Sequence, residues 1–241
     1  MGRFVITTAA KSETDKLFYK AGSFVAADKI EGDYLEFGVF TGFTFSSAFH
    51  LIGEAYKNAY TPSVWNTEQD RIDRKQLWDK MRFIAFDSFQ GLPKPTGIDI
   101  DLSSSNFVEG KFSNSEENFL NRITSTGVPI DRVVVVPGWF DQTLNEDTIK
   151  KHDIQHAAII HIDSDLYESA KLVLDFVGHL LVDGTVIIFD DWYNFKGNPD
   201  LGEQKALKEW LDENPDWTAT QYQKEGVWRN SFIMNKRISS T

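Results

Sequence analysis

Residues 158–167 read AIIHIDSDLY, and the fold follows from them. From Ala157 to Ile162 the chain is nearly all apolar, the composition of a strand covered on both faces. It ends in Asp163 and Asp165, with Ser164 between them. A second apolar run, Val186 to Phe189, ends the same way, in Asp190 and Asp191. Between the two, Leu166, Ala170, Val173, Leu174, Val177 and Leu181 recur at three-to-four spacing, which predicts a helix. Asp183-Gly184 predicts the turn into the second strand. A strand–helix–strand crossover returns the chain parallel, so both strands end at one edge of the sheet. Open α/β sheets bind ligands at that edge. Four carboxylates, Asp163, Asp165, Asp190 and Asp191, are therefore expected to converge there. Like charges so close repel, and a bound cation relieves them.

Outward from this unit the pattern stays α/β. Ser12 to Ala27 predicts a helix capped by Ser12, with Leu17, Phe18, Ala21, Phe24 and Val25 on one face. It is expected to cover the ligand edge or a partner subunit. Asp33 to Val39 predicts the first strand, and Phe45, Ala48, Phe49, Ile52 and Tyr56 the helix after it. Residues 57–80 are polar and predict an insertion, helical in part. Met81 to Phe86 predicts the second strand, ending at Asp87. The segment 88–110 is rich in Gly, Pro and Ser, and a loop of that length usually has a task, such as a lid. Ser113 or Ser115 is expected to cap the next helix. Arg132 to Pro137 predicts the third strand, its four valines buried on both faces. A helix is predicted over 143–151 and another over 202–213. Residues 217–223 and 227–235 predict a closing hairpin. The expected architecture is one α/β domain with helices on both faces of a mostly parallel sheet that has one antiparallel edge strand.

Composition narrows the partners. The chain has 241 residues, 41% hydrophobic and 25% charged, with a formal net charge of −11. That balance argues against nucleic acid, which selects a basic face. No apolar run approaches the roughly 20 residues that span a bilayer, so no membrane partner is expected. The first residues, MGRFVITTAAKSETDK, lack the apolar core of a signal peptide, and a cytoplasmic location is expected. Absence of cysteine excludes disulfides, thiolate catalysis and Cys-based metal sites.

Three further stretches carry candidate chemistry. Glu36-Phe-Gly-Val-Phe-Thr-Gly42 joins the first strand to its helix. Gly38 and Gly42 allow close approach of a ligand to backbone, and Glu36 can attract an ammonium, which suits a ligand with an amino-acid moiety. The alternative is a plain strand–helix turn. The missing GxGxxG weighs against a dinucleotide. Asp87 ends the second strand, where a carboxylate grips ribose hydroxyls or caps a turn. Gly138-Trp139-Phe140 offers an aromatic surface for a flat base, or packs in the core. At the four aspartates, oxygen ligands select a hard cation, Mg²⁺ before Ca²⁺ or Mn²⁺; alternatively one, such as Asp165, caps a helix. His161 shares a face with Asp163 and reads as a hydrogen-bonded core residue.

These stretches together resemble the macrocin O-methyltransferase family. The resemblance rests on ExGxxxG at 36–42, FDSFQGLPKP at 86–95, GWFDQTL at 138–144, HIDSDLYES at 161–169 and IIFDDW at 187–192. It implies a single-domain, Rossmann-like class I methyltransferase using S-adenosylmethionine (SAM), with a seven-stranded sheet, a reversed last strand and a Mg²⁺ ion. It implies metal ligands at Asp163, Asp190 and Asp191 and a general base at Asp165. SAM would be held by Glu36, Gly38, Thr41, Gly42, Asp87 and Ser88, with the adenine near Gly138, Trp139 and Phe140. The implied acceptor is a small-molecule hydroxyl, a sugar or glycoside, and the family self-associates. The 57–80 insertion is longer than the family implies, and the 96–110 segment, where a lid or acceptor-binding loop is expected, matches no motif of the family. Competing readings are a catechol-type O-methyltransferase, an NAD(P) or nucleotide-sugar Rossmann protein, and a non-catalytic SAM-fold protein.

Overall fold

The computed structural model describes residues 13–100 and 107–238. In chain order the elements are α1 (Glu13–Ala27), β1 (Asp33–Phe37), α2 (Phe43–Tyr60), α3 (Glu68–Lys80), β2 (Phe83–Asp87), α4 (Glu116–Ser125), β3 (Val133–Pro137), α5 (Phe140–Thr143), α6 (Glu146–His152), β4 (Ala157–Ile162), α7 (Tyr167–Val177), β5 (Leu181–Phe189), α8 (Asn194–Gly197), α9 (Gly202–Glu213), β6 (Trp217–Glu225) and β7 (Arg229–Lys236). The strands form one seven-stranded sheet in the order β3-β2-β1-β4-β5-β7-β6. β1 to β5 pair in parallel, and β7 runs antiparallel to both of its neighbours. The sheet therefore closes in an antiparallel pair, with β7 slotted between β5 and β6.

Alternation along each strand divides the core in two. Leu35, Phe37, Ile160, Ile162, Ile187 and Phe189 face α7 and α9, where Ala170, Val173, Leu174 and Trp210 fill the layer. Tyr34, Phe83, Ile159 and Ile188 face the other way, onto α1 and α2. Both faces of β4 are buried along its whole length, so its carboxyl end is fixed between neighbours and cannot drift. The α1 face is used within the chain: Leu17, Phe18, Ala21 and Val25 are buried. The helix crosses α2 so closely at Gly22 that a Cβ there would lie 2.9 Å from the Ile52 Cα. The expected cap, Ser12, lies outside the described residues.

Five details differ from the sequence-based expectation. Leu181 begins β5; it does not end the preceding helix. Asp183-Gly184 is a bulge inside that strand, because Leu181 pairs with Ala157 while Val186 pairs with Ile159. Gly184 has φ +91° there, and a Cβ would meet the Ile30 side chain at 2.3 Å. Val133, Val134 and Val135 are only half-buried, because β3 is an edge strand with no neighbour on one flank. The 57–80 stretch is mostly helix: α2 runs on to Tyr60, and α3 starts at a Thr67–Asp70 capping box. Trp78 then packs α3 against Tyr56 and Phe49, with the Arg132 guanidinium 4.1 Å from its ring centroid. Asn145 splits the helix expected over 143–151 by capping α6. No described helix is long and apolar enough to cross a membrane.

Candidate active site

The carboxyl ends of the parallel strands open into a cavity of about 890 Å³. Its wall follows the sheet order: Trp139 and Phe140 after β3, Asp87 and Ser88 after β2, Gly38 after β1, Asp163 and Asp165 after β4, Asp190 and Asp191 after β5, and Trp228 before β7. The segment after Ser88 supplies Leu92, Pro93, Thr96 and Asp99.

Local chain chemistry places each group. Gly38 has φ +89°, and a Cβ on it would sit 2.0 Å from the Asp163 carbonyl oxygen. Only glycine lets β1 and β4 come this close. The Asp163 amide donates to the Phe37 carbonyl, which locks the end of β4 to β1. Asp165 adopts the left-handed region at φ +58°, uncommon for a side chain other than glycine. Leu166 is the N-cap of α7 and makes no side-chain cap bond, so Asp165 does not act as the cap. The Asp190 amide donates to the Ile162 carbonyl, holding the ends of β4 and β5 in step.

The acids fall into two groups. Asp190 Oδ1 accepts from Arg229 Nε and lies 3.3 Å from His161 Nε2. His161, Asp163 and Asp190 each present a ligand atom within 4.8 Å of the others. Asp191 belongs to the second group. Its Oδ1 accepts from Asn194 Nδ2 at 2.6 Å, its Oδ2 is buried without a donor, and its carboxyl meets that of Asp165 at hydrogen-bond range. The expected trio Asp163, Asp190 and Asp191 therefore lies in one cavity wall, with His161 drawn in beside Asp190 and Asp191 turned to Asp165.

Burial is the main cause of the electrostatic strain. It pushes Asp165 up to about 6, with the Asp190 charge adding, while the bond to Asp191 and the Lys111 charge oppose. Asp191 is raised further, by burial and then by Asp165 and Asp190. Asp163 is raised by burial and by Asp190, Asp191, Asp165 and Glu36. Asp190 is the exception: burial pushes it up, but His161 and Arg229 outweigh this and hold it below the ordinary carboxylate value. Arg229 and Glu203 were not legible as site residues. Glu203 is fully buried, with Oε2 accepting from the Asp191 amide and Oε1 without a donor. Neither sits in a motif; one follows a hairpin turn and the other opens an amphipathic helix.

Five acids thus face one guanidinium, one imidazole and the Lys111 charge near Asp165, and two of their buried oxygens, Asp191 Oδ2 and Glu203 Oε1, have no donor. Carboxylate oxygens with an adjacent imidazole fit a hard divalent cation in charge and in donor type.

The remaining expected residues divide. Gly38, Asp87, Ser88, Trp139 and Phe140 line the cavity; Glu36, Thr41, Gly42 and Gly138 do not. Glu36 is fully buried on the α1 side of the sheet, accepting from Tyr34 Oη, with Oε1 3.7 Å from His161 Nδ1. Phe18 packs edge-on against the His161 ring at 5.3 Å. Asp87 spends both oxygens on backbone: Oδ2 accepts from Val39 and Phe40, Oδ1 from Phe89. It shapes the β1–α2 turn that a ligand would meet. Gly42 is demanded by packing, since a Cβ there would lie 2.8 Å from the Phe119 ring. Gly138, at φ +140°, donates to the Asp87 carbonyl.

A sheet of this order with a reversed β7, an open cavity at the strand ends and acids at β4 and β5 define a SAM-type O-methyltransferase. The macrocin O-methyltransferase (TylF) family model matches residues 69–224, and the chain belongs to that family. Solved structures share the fold. The O-methyltransferase NovP superposes with a TM-score of 0.65 at 19% identity, covering 93% of this chain and 80% of that one. CalS11, a calicheamicin methyltransferase, gives 0.63 at 21% identity, with 91% and 77% covered. TomG from Streptomyces achromogenes, solved with SAM, gives 0.52 at 13% identity, with 93% and 81% covered. No curated protein matches the sequence.

Proposed function

We propose that this protein transfers the SAM methyl group to a hydroxyl of a sugar or glycosylated natural product, with a divalent cation, Mg²⁺ by preference, held at Asp163, Asp190 and Asp191. The observation that carries the reading is the meeting of acids from two strand ends beside Gly38 and Asp87 in one cavity. The family points the same way, and CalS11 is described as a TDP-rhamnose 3′-O-methyltransferase. Self-association, implied by the family, is part of the proposal and is checked by light scattering.

The residues divide the work. Asp87, Ser88, Trp139 and Phe140 receive the adenosyl half of SAM, and Gly38 leaves room for its methionyl half. Glu36, Thr41, Gly42 and Gly138 act from behind the wall, by holding the turns in shape. In the transfer, the acceptor oxygen forms its bond to the methyl carbon as the carbon–sulfur bond breaks. The hydroxyl proton passes to Asp165, and S-adenosylhomocysteine (SAH) leaves. A carboxylate near pKa 4 is a poor base, and burial of Asp165 moves it towards the working pH. When bound, the cation supplies Lewis acidity that lowers the acceptor hydroxyl's pKa. Asp165 and the cavity wall align oxygen, carbon and sulfur.

The test is calorimetry with SAH against NAD, followed by a panel of 4-nitrophenyl glycosides and catechol assayed with SAM in MgCl₂ or EDTA. SAH binding with Mg²⁺-dependent methylation of a glycoside is the expected result. NAD binding in place of SAH would overturn the cofactor, and turnover of catechol alone would overturn the acceptor.

A further inference from the structure

The segment 96–110 matched no motif, yet one of its carboxylates is fully buried. Asp99, in a 3₁₀ turn over Gly97–Asp99, is 0% exposed. Its Oδ1 accepts from the Tyr167 amide and its Oδ2 from the Glu168 amide, both at 3.1 Å. These are the first two amides of α7, which have no partner within the helix; a local N-cap side chain would serve the second or third. The local N-cap is Leu166, which has no side chain able to accept. A residue 68 positions upstream therefore sets where α7 begins.

The turn clamped in this way is the one that carries Asp165. Ser164, Asp165 and Leu166 bridge β4 to α7 in three residues, with the Leu166 amide 2.6 Å from the Ser164 carbonyl. Asp165 is held in the left-handed region at φ +58°. Strained backbone of this kind persists only where its surroundings fix it. Upstream, the β1–β4 bond at Asp163 fixes it. Downstream, Asp99 does. Gly97 fits the same contact, because a Cβ there would lie 2.5 Å from Glu168 Oε1.

We propose that Asp99 is a positioning residue, which clamps the start of α7 and thereby holds Asp165 in its left-handed conformation with its carboxyl against Asp191. The proposal rests on the reading of Asp165 as the base only for its effect on turnover; the effect on the turn stands apart from it. The segment from Ser88 is then a structural part of the catalytic turn. Its stem is closed by the Leu92 and Gly110 backbone bonds, and its 3₁₀ turn is tied to α7 through Asp99.

The experiment uses the full chain and two variants. Asp99→Asn keeps one acceptor and puts an NH₂ against a backbone N–H; Asp99→Ala removes both acceptors. Amide exchange by mass spectrometry, with SAH present, reads the 164–169 peptide against the 158–162 strand. The expected result is at least tenfold faster exchange in the turn for Asp99→Ala, less for Asp99→Asn, with the strand unchanged. Crystal structures of the variants are expected to show Asp165 out of the left-handed region and parted from Asp191. On a glycoside that turns over, kcat falls at least tenfold while KM for SAM stays within twofold. Unchanged exchange in the turn, or a variant structure with Asp165 in place, overturns the proposal. Faster exchange with kcat intact also overturns it, reducing Asp99 to a cap. Failure of the wild-type protein to bind SAH would instead remove the proposed function, and the exchange and structural outcomes would still decide this one.

Discussion

Gly38→Ala is the sharpest perturbation the fold offers, because Gly127 provides its control. Both glycines have φ +89°. At Gly127 an added Cβ has nothing within 4 Å; at Gly38 it lies 2.0 Å from the Asp163 carbonyl oxygen. Alanine in left-handed backbone costs about 1–2 kcal/mol wherever it occurs. The collision at Gly38 adds an overpacking cost of about 1–3 kcal/mol, since strands hydrogen-bonded on both sides must part by more than ~1 Å. Gly127→Ala is thus expected to lose ~1–2 kcal/mol and Gly38→Ala ~2–5 kcal/mol. Equilibrium urea unfolding measures both. With a slope near ~3 kcal/mol per molar urea, the midpoints fall by about 0.5 M and about 1 M or more. The separation of β1 from β4 also displaces Asp163, so the folded Gly38→Ala protein is expected to lose SAH and Mg²⁺ affinity, while Gly127→Ala keeps both. Equal midpoints for the two variants would refute the close approach on which the site geometry depends.

Three further outcomes are expected. Asp165→Asn should cut turnover by roughly 10²–10⁴-fold, the range for loss of a general base, while calorimetry finds Mg²⁺ binding largely retained; near-full activity would remove the base assignment. Phe18→Ala opens a cavity beneath His161 and should destabilise the protein by about 3–5 kcal/mol in urea, with a milder effect for Phe18→Leu; a loss under ~1 kcal/mol would mean that α1 does not seal this face. Stability should also respond to pH and metal together. The raised groups Asp163, Asp165 and Asp191 hold protons in the metal-free fold that the unfolded chain has released, so their stabilisation is complete at low pH and fades as pH rises through about 6 for Asp165 and higher for its partners. A divalent cation replaces those protons, so the Tm gain from MgCl₂ over EDTA should grow from pH 5 to pH 7.5; a gain that is flat or falls with pH would contradict the acid cluster as the metal site.

Much of this arrangement was legible because it is local. Strands buried on both faces announce themselves as apolar runs, so β4 and the end of β5 could be read with their terminal acids. The amphipathic stripe of α7 was equally plain, and a crossover rule then brought Asp163 and Asp190 to one edge. What stayed hidden depends on contacts between distant segments. Leu181 continues the helical spacing, and only pairing with Ala157 makes it strand. The valines of β3 look central until the sheet order makes them an edge. Glu36 has the right position for an ammonium ligand, but alternation turns it to the α1 face, where Tyr34 holds it. Asp99 and Glu203 are polar residues in unremarkable surroundings, and nothing in their neighbourhoods records that a helix start and the Asp191 amide lie against them.

The placement of compensation within the cluster separates what the fold needs from what it holds in readiness. An isolated buried carboxylate is costly and regains its place through donors or cations. Asp190 has both, from Arg229 and His161, and alone among the four strand-end aspartates is held below the ordinary value. Asp163, Asp165 and Asp191 are buried beside it and pushed up, and a hydrophobic residue at any of them would relieve the fold. Arg229 opens β7 and holds Asp190 with no metal present, so Asp190 is the preformed anchor of the proposed site. On the proposed function, the other three, which Asn194 and Lys111 offset only in part, are compensated when a cation arrives and their protons leave. Binding of the proposed cation and proton release would then be one event at this site. The prediction that follows is specific to the anchor: Arg229→Met should raise Asp190 towards its neighbours and increase the protons released per Mg²⁺ bound, read by calorimetry in buffers of different ionisation enthalpy. An unchanged proton count would show that the guanidinium is not what keeps Asp190 ionised.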